Sequence, residues 1–539
     1  MFIMTAVVIG WPSGNSPHRI VGGWLAAVIT DSKLTHRKIN HTAAFYLAEA
    51  GVEHAKEYLS AQANLRSAVI RTAGTIPAST VIGASSVPFG AGSYTTSINV
   101  ALGSWSIPIY TISSVGTADP DGTAGSGDEV GRKIIVKASL GSFARYAYFT
   151  DSEPAIWFIT TDALLGLVHT NGSFHIAGRP DYWGKTTSVG SQFYFYNNGS
   201  SVPSTSDHNG TRDVPLFRDG YELSATSVYY PTDTTDIQTA AAGARGLIIN
   251  TDTRITLAVG AGNVGKLTYV QMKTDTWSGW NDEHTIYHTS YRKESYPLPG
   301  TQMNADVFDS ENSPSGKAVV YVNGAAEVSG TLAGQLTILT KGDLVVTGDI
   351  LYRVDPVDYD GDGLLSDADG DGINDPGFDR NGDGLFTLNG EKPDDTDDNG
   401  DGTADTTGYN QPESTDTLGL VAKGDVVVQD TGGTGVNRKI SGTVMALGTA
   451  DRTGTGTGSF RVENYNDGDI QGTLMIVGGL IQKQRGAVGS FSGDITGQPT
   501  KTSGYSKNYI YDRRVLYFPP PYFPPTNMFD LIYWQEVAL

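Results

Sequence analysis

Acidic side chains at two-residue steps are the strongest chemical feature of the sequence. Residues 355–405 contain 16 Asp and one Glu but only two basic residues. Within them, the twelve residues Asp358–Asp369 place Asp at positions one, three and five, Gly at position six and Asp at position twelve. Alternate side chains of such a loop converge on one centre and supply the roughly six to eight oxygens that Ca²⁺ prefers. The predicted ligands of this first loop are Asp358, Asp360, Asp362, Leu364 through its carbonyl, Ser366 and Asp369.

The same spacing returns three more times. The loops start too close together for helices between them, so we expect a tandem array that binds several Ca²⁺ ions as cofactors. Without metal, the concentrated negative charge would repel itself; the alternative interpretation is a solvated, disordered acidic linker. The second loop offers Asp367, Asp369, Asp371, Ile373 and Asp375; the third Asp379, Asn381, Asp383, Leu385, Thr387 and Glu391; and the fourth Asp397, Asn399, Asp401, Thr403 and Asp405.

Two histidine-containing segments could bind a metal or act in catalysis, but each has a structural interpretation that we favour. On a strand, His169, Asn171, Ser173 and His175 would share one face. The turn-forming pair at residues 171–172 instead indicates a corner with a structural His169. The other segment, 282–288, lacks the order of His and Glu that zinc proteases use. We therefore predict no catalytic and no organic-cofactor residues and expect that the protein is not an enzyme.

Composition narrows the function classes further. The 539 residues carry a formal net charge of −21, and most of that charge lies in the Asp-rich segment. An acidic chain without basic clusters argues against nucleic-acid binding, which depends on Lys and Arg at phosphates. The chain contains no Cys, so neither a disulfide nor a thiolate can contribute.

The remaining sequence predicts a mainly β protein with one long N-terminal helix. Apolar residues recur at three- and four-residue steps from Trp24 to about Thr72, which is typical of an amphipathic helix. Short β-branched runs bounded by Gly-Asp follow, as in "KGDLVV" and "KGDVVV". Such repeats favour a parallel β-solenoid over a β-sandwich, with the Asp-rich segment as a loop inserted between two coils. The Pro- and aromatic-rich C-terminus is predicted to cap the open end of the solenoid.

Several segments resemble a known family in the same order. The helix carries Ala48-Glu49-Ala50-Gly51-Val52-Glu53, which resembles the A-E-A-G-x-E element of PilX-like pilus-assembly proteins, a group related to type IV minor pilins. Segments 143–153 and 164–184 resemble the uncharacterised G-P-V-H-T-N-G β domain that often follows such helices, with Leu167 in place of the usual Pro. The Asp-rich array is similar to thrombospondin type 3 calcium repeats.

The resemblance implies an extracellular or cell-surface bacterial protein. It implies a structural, accessory subunit of a type IV pilus-like or type II secretion-like filament, with other pilin-like subunits as partners of the N-terminal helix. Such proteins carry a membrane helix of about 20 residues, and no apolar run of that length precedes Trp24. We therefore interpret the start as misassigned and leave membrane association open.

These expectations divide the chain into seven regions and leave two other functions open. One alternative is a calcium-dependent adhesin that binds a glycan or another cell-surface ligand, and the other is a carbohydrate-active β-helix enzyme. The regions are the N-terminal segment at 1–23, the pilin-like helix at 24–74, a β-rich pilin-like region at 75–150, the solenoid at 151–354, the calcium insertion at 355–408, the second part of the solenoid at 409–510 and the C-terminal cap at 511–539.

Overall fold

The chain divides into two compact units in a computed structural model. Unit 1 comprises residues 1–140 together with 528–539, and unit 2 comprises residues 141–527. The structure describes residues 17–64, 79–90, 92–102, 105, 107–118, 129–274, 295–309, 312–354, 414–430, 433–448, 457–493, 499–512 and 514–537.

The described secondary structure is dominated by strands. The α-helices are α1 (Pro17–Asn64), α2 (Thr235–Ala241) and α3 (Arg514–Tyr517). The first strands are β1 (Ser79–Phe89), β2 (Gly92–Leu102), β3 (Pro108–Ala118), β4 (Val130–Ser142), β5 (Tyr148–Ser152), β6 (Phe158–Ile159), β7 (Ala163–Leu165), β8 (Val168–Thr170), β9 (His175–Ala177), β10 (Asp181–Tyr182), β11 (Thr186–Ser188), β12 (Phe193–Asn197), β13 (Ser200–Ser204), β14 (Leu216–Phe217) and β15 (Tyr221–Leu223). The remaining strands are β16 (Gly246–Ile249), β17 (Thr253–Val259), β18 (Gly265–Thr274), β19 (Ser295–Pro297), β20 (Met303–Asp306), β21 (Val319–Val322), β22 (Ala326–Leu332), β23 (Gln335–Thr340), β24 (Leu344–Tyr352), β25 (Thr417–Ala422), β26 (Val426–Val428), β27 (Arg438–Ala446), β28 (Phe460–Val462), β29 (Ile470–Gln484), β30 (Gly489–Ser492), β31 (Thr500–Tyr511) and β32 (Pro525–Val537).

Unit 1 is a long helix on a sheet of five strands. The strand order is β1-β2-β3-β4-β32, and the first four strands form a consecutive antiparallel meander. Every second residue of β3 is buried, so one face of the sheet lies against α1. The core between helix and sheet contains Ala48, Val52, Ala55, Leu59, Ile82, Ile98, Tyr110, Ile112, Ile134, Val136 and Leu140.

Unit 2 is built from parallel ladders, and we call the strands that one stretch of chain adds to these ladders a coil. One ladder runs through β16, β21, β23, β25 and β27, and a second through β17, β22, β24, β26 and β28. Within them, residues 335–340 pair one to one with residues 417–422. Parallel strands bury both faces, which is why these segments read as nearly continuous Val, Ile and Leu.

The order of coils in space differs from their order in the chain. Strand β29 pairs in parallel with β27 on one side and with β5 on the other. Strand β31 likewise pairs with β29 and β7. The early coils, from β5 to β15, are therefore added beyond the last coils of the chain, while α2 lies in the connection to β16.

The mainly β prediction with a long N-terminal helix is confirmed. Helix α1 begins at Pro17, inside the segment that the sequence left without a structure, and its described part ends at Asn64. Proline suits the first turn of a helix because its missing N–H would have no partner there. Among the described helices, none has the length and apolar character needed to span a membrane.

The two units separate at residues 140–141, since β5 already pairs with β29 of unit 2. In its described part, the C-terminal region contacts strand β23. The Thr337 hydroxyl donates to the Pro521 carbonyl at 2.5 Å, on a strand with neighbours on both sides, and the following β32 joins the sheet of unit 1.

Candidate functional site

The predicted calcium ligands, from Asp358 to Asp405, all fall in the stretch 355–413 that lies outside the described residues. Their arrangement as loops therefore stays a prediction. In the part of the chain that is described, no group of three or more His, Asp or Glu side chains is placed to hold a metal ion. The second histidine segment, 282–288, also lies outside the described residues.

The described structure shows how the two ends of the Asp-rich segment are held. The Asp-rich segment follows β24 and precedes β25 in the chain, and these strands belong to adjacent coils. The Leu418 N–H donates to the Tyr352 hydroxyl at 3.0 Å. Arg353 lies 3.4 Å from the fully buried Asp416 carboxylate, which also accepts from the Gly334 N–H at 2.6 Å. We call Tyr352, Arg353, Val354, Asp416 and Leu418 the insert stem.

Arg514, in the C-terminal region, contacts two residues of the insert stem. The Arg514 guanidinium lies 4.4 Å from the centre of the Tyr352 ring and donates to the Val354 carbonyl at 3.3 Å. It also forms a buried ion pair with Asp512 at 2.8 Å. Burial raises the pKa of the Tyr352 hydroxyl, so this group stays protonated. The insert therefore starts and ends at one fixed place in the fold.

The Gly-Asp repeats mark a corner where each coil is bonded to the next. The Asp252 carboxylate accepts from the Ala325 N–H at 2.8 Å, and the Asp343 carboxylate accepts from the Asp425 N–H at 2.9 Å. Asp425 in turn accepts from the N–H groups of Gly458 and Ser459 at 2.9 and 3.0 Å. We call Asp252, Asp343 and Asp425 the corner aspartates; they pair backbone donors that adjacent strands leave free.

Glycine lies next to the corner aspartate of the preceding coil for a steric reason. A Cβ placed on Gly424 would lie 2.1 Å from the Asp343 carboxylate oxygen of the preceding coil. A Cβ on Gly324 would lie 2.6 Å from the Asp252 oxygen. Each coil therefore supplies one carboxylate that accepts hydrogen bonds and one glycine whose missing side chain leaves room for the neighbouring carboxylate.

The A-E-A-G-x-E element of the helix has a packing role in unit 1. A Cβ on Gly116 of β3 would lie 2.2 Å from the Ala44 carbonyl oxygen and 2.3 Å from the Ala48 nitrogen, so the helix backbone touches the sheet directly. A Cβ on Gly51 would lie 2.2 Å from the Ser114 hydroxyl oxygen. Glu53 points outward and pairs with Lys56 at 2.8 Å. The small residues of the element thus allow the close approach.

His169 and Asn171 form a structural corner, as favoured from the sequence. Strand β8 ends at Thr170, and the chain bends at residues 171–172. The two ring nitrogens of His169 lie 2.7 Å from the Thr187 hydroxyl and 3.1 Å from the Asn171 side-chain oxygen. The Asn171 amide donates to Asp151 at 2.9 Å and to the Val228 carbonyl at 2.7 Å. Burial lowers the pKa of His169, so its imidazole is neutral at neutral pH.

His175 does not join that corner, because it lies in a different sheet. Strand β9 pairs with β6 and β12 and has no pairing with β8. The His175 ring stacks on Tyr194 at 5.0 Å and meets the edge of Trp157 at 5.2 Å. Burial, with a smaller effect of Arg485, lowers its pKa to about 4.

Unit 2 contains a buried ionic cluster that no sequence pattern predicted. It consists of Glu153, Asp162, Arg485 and Lys507, whose side chains are at most 10% exposed. Lys507 Nζ lies 2.6 Å from an Asp162 carboxylate oxygen, and Arg485 lies 3.4 Å from Glu153. Each pair joins an early coil to a late one across more than 300 residues of sequence. No local spacing could therefore have revealed the cluster.

Aromatic rings enclose this buried ionic cluster. The Arg485 guanidinium lies 3.5 Å from the centre of the Phe158 ring, and the Tyr148 hydroxyl donates to Glu153 at 2.8 Å. Burial raises the pKa of Glu153 and lowers that of Lys507, where Arg485 adds to the effect of burial. Both shifts have the same physical cause, the cost of a charge in a medium of low polarity.

Comparisons with known proteins place a known domain over part of the chain. Residues 116–191 match a family described as a domain of unknown function, DUF4900. This region includes the His169 corner and both acids of the buried ionic cluster. No curated protein matches the sequence. Among solved structures, the chain is similar to the competence-associated pilin ComZ from Thermus thermophilus, with 13% identity, 98% of this chain and 99% of that chain covered, and a TM-score of 0.28.

Proposed function

We propose that the protein is a structural, accessory subunit of a type IV pilus-like or type II secretion-like filament on the bacterial cell surface. The main support for this proposal is how α1 packs in unit 1 and which of its side chains remain exposed. Its small residues dock on an antiparallel sheet, while Ile39 and Tyr46 remain 57% and 63% exposed. Exposed apolar side chains seven residues apart lie on one helix face and are suited to contact another helix.

The second part of the proposal concerns the Asp-rich segment. We infer that it binds several Ca²⁺ ions through the four predicted loops, because its one-three-five spacing with Gly at position six suits this ion. The insert stem supports a mechanical role, since both ends of the segment are fixed on adjacent coils. Calcium would then stiffen a loop whose base is already rigid.

The third part concerns unit 2. We propose that its parallel ladders form a solenoid body with a scaffolding role and without catalysis. In support, His169 uses both ring nitrogens in hydrogen bonds within the corner, and Asn171 is engaged on both sides of its amide. The side chains of His169 and Asn171 therefore hold the loops of this corner together.

The helix contact can be tested by cross-linking through single cysteines. Because the chain contains no Cys, each variant would carry one thiol at a chosen position. In filament-bearing cells, Ile39→Cys and Tyr46→Cys are expected to give adducts with a pilin-like subunit after treatment with a short thiol-to-amine cross-linker. Met303→Cys in unit 2, 49% exposed, serves as the matched control. Adducts at the control position and none on the helix would contradict the proposal.

A further inference from the structure

Lys507 and Asp162 have a geometry that goes beyond an ion pair. Their nitrogen and oxygen are 2.6 Å apart, and the Lys507 backbone N–H donates to the other Asp162 oxygen at 3.3 Å. The Ile159 N–H donates to the first oxygen at 2.9 Å. The Asp162 side chain is fully buried, and that of Lys507 is 10% exposed. The amine is thus held beside the carboxyl group with little freedom and little water.

We propose that Lys507 and Asp162 react with each other to form an isopeptide bond between Nζ and Cγ. The product is an amide that covalently joins the turn before β7 to strand β31. This inference concerns unit 2 alone and does not depend on the proposed role in a filament.

The surroundings favour the reactive, uncharged form of Lys507. Lys507 lies over the Phe158 ring, with Nζ 5.9 Å from its centre, and Arg485 lies over the same ring. In a medium of low polarity, transfer of the proton from ammonium to carboxylate removes two buried charges at once. Burial is the largest effect on Lys507, and together with Arg485 it outweighs the opposing effects of Asp162 and Glu153, so the pKa of Lys507 is lowered. A neutral amine is the nucleophile that the reaction needs.

The reaction balances with these two side chains alone. The lone pair of Lys507 Nζ attacks Cγ of the protonated Asp162 carboxyl group and forms the C–N bond. The C–O bond to the hydroxyl then breaks, and the hydroxyl leaves with a proton from the nitrogen as one water molecule. No oxidant, reductant or co-reactant takes part. The held geometry supplies the effective concentration that the same groups lack in solution.

A second pair in this chain serves as an internal control. Lys266 Nζ lies 2.6 Å from an Asp306 carboxylate oxygen, the same distance as in the buried pair. Its two side chains are 44% and 49% exposed, so water stabilises both charges. We therefore expect this pair to remain ionic. The comparison separates the effect of burial from that of distance.

The bond would supply a covalent cross-link, which this chain cannot obtain from disulfides. The chain has no Cys, and Asp162 and Lys507 are 345 residues apart. The reacting strand β31 pairs with β7, where the early coils meet the late ones. A covalent link at this junction would hold the two segments in register even when neighbouring strands open.

Mass spectrometry of the purified full-length protein tests the inference directly. The intact mass is expected to be lower than that of the sequence by one water molecule, and the Lys507→Arg variant is expected to show no such loss. After trypsin digestion, residues 502–513 should appear uncleaved at Lys507 and joined to the peptide that contains Asp162. No cross-linked peptide should join Lys266 to Asp306.

Two results would overturn the inference. One is a wild-type digest in which 502–507 and 508–513 appear as free peptides, with an intact mass equal to that of the sequence. The other is a cross-link at the exposed Lys266–Asp306 pair as well, because burial would then not be what drives the reaction. The wild-type protein alone decides the first point, so a poorly folding variant does not leave the question open.

Discussion

At the scale of single residues, the backbones of helix α1 and strand β3 approach each other closely at Gly116. A side chain there would meet the Ala44 carbonyl oxygen and the Ala48 nitrogen, neither of which can rotate away. The A-E-A-G-x-E element therefore has a physical explanation. Its small residues bring the helix within contact distance of β3, and its glutamates lie on other parts of the helix surface.

This contact predicts a large effect of a small substitution. Gly116→Ala is expected to lower the free energy of unfolding of unit 1 by about 1–3 kcal/mol, because the added methyl group overpacks a backbone contact. Thr117→Ala, the next residue on the opposite face of β3, should change it by less than about 0.5 kcal/mol. Chemical denaturation of both variants measures the difference. Equal stability of the two variants would show that α1 does not press on the sheet at Gly116.

His175 predicts a dependence of stability on pH. Its pKa is about 4 in the folded protein, below its ordinary value of 6.5, so between these values the unfolded chain binds more protons. The free energy of unfolding therefore falls as the pH drops through this window. His175→Phe retains an aromatic ring against Tyr194 but cannot titrate. From pH 7 to 4.5 the wild type should lose about 2 kcal/mol more than this variant. Parallel losses in both proteins would contradict the assignment.

At the scale of elements, the corner aspartates connect successive coils of unit 2. The Gly-Asp repeats of the sequence predicted tight corners, and the structure adds that each carboxylate bonds to the next coil. A strand end alone leaves backbone N–H groups without partners, and burial makes such groups costly. The Gly-Asp repeat therefore encodes both the turn and the hydrogen bonds that attach the next coil.

Removing one corner aspartate should lower the free energy of unfolding of unit 2. Asp343→Ala leaves the Asp425 N–H without its acceptor and is expected to cost about 1–3 kcal/mol of unfolding free energy. Asp343→Asn retains an acceptor oxygen and should cost less. Lys341→Ala, an exposed neighbour in the same turn, is the control. If Asp343→Ala and Lys341→Ala prove equally stable in denaturation experiments, the corner bonds do not hold the coils together.

Sequence alone could predict the elements but not the order in which they stack. Helix periodicity predicted α1, and the turn-forming pair Asn171-Gly172 predicted the corner after β8. The pairing of β29 with β5 depends on strands more than 300 residues apart, and no local pattern encodes it. The ion pairs of the buried ionic cluster also join residues more than 300 positions apart in the sequence, so no local pattern predicts them. The prolines and aromatic rings of the C-terminal segment indicated no strand, yet β32 follows them.

At the scale of the whole molecule, the largest concentration of charge lies in a segment attached at one point. The insert stem fixes its two ends on adjacent coils, and most of the net charge of −21 lies in between. Bound cations would neutralise this charge, whereas an empty segment would repel itself. Metal should therefore change the stability of this segment more than that of the coils.

Calcium binding can be measured on the full chain by titration calorimetry. We expect heat of binding with Ca²⁺ and much less with Mg²⁺, which demands near-octahedral geometry and retains its waters. Replacing both Asp360 and Asp362 by Ala should abolish binding at the first loop. Replacing Asp394 and Asp395 by Ala removes the same charge at positions outside the predicted ligand sets and should leave binding intact. Equal losses in the two double variants would indicate a general attraction of cations without a built site.

The central claim, a role in a surface filament, is tested most directly by the composition of filaments sheared from the cells that make this protein. Filaments are purified and their proteins identified by mass spectrometry, with an abundant cell-envelope protein followed as a control for contamination. We predict that the protein is present in the filament fraction together with pilin-like subunits and is enriched relative to the envelope control. Filaments that form normally and lack the protein, while it remains with the cells, would contradict the account.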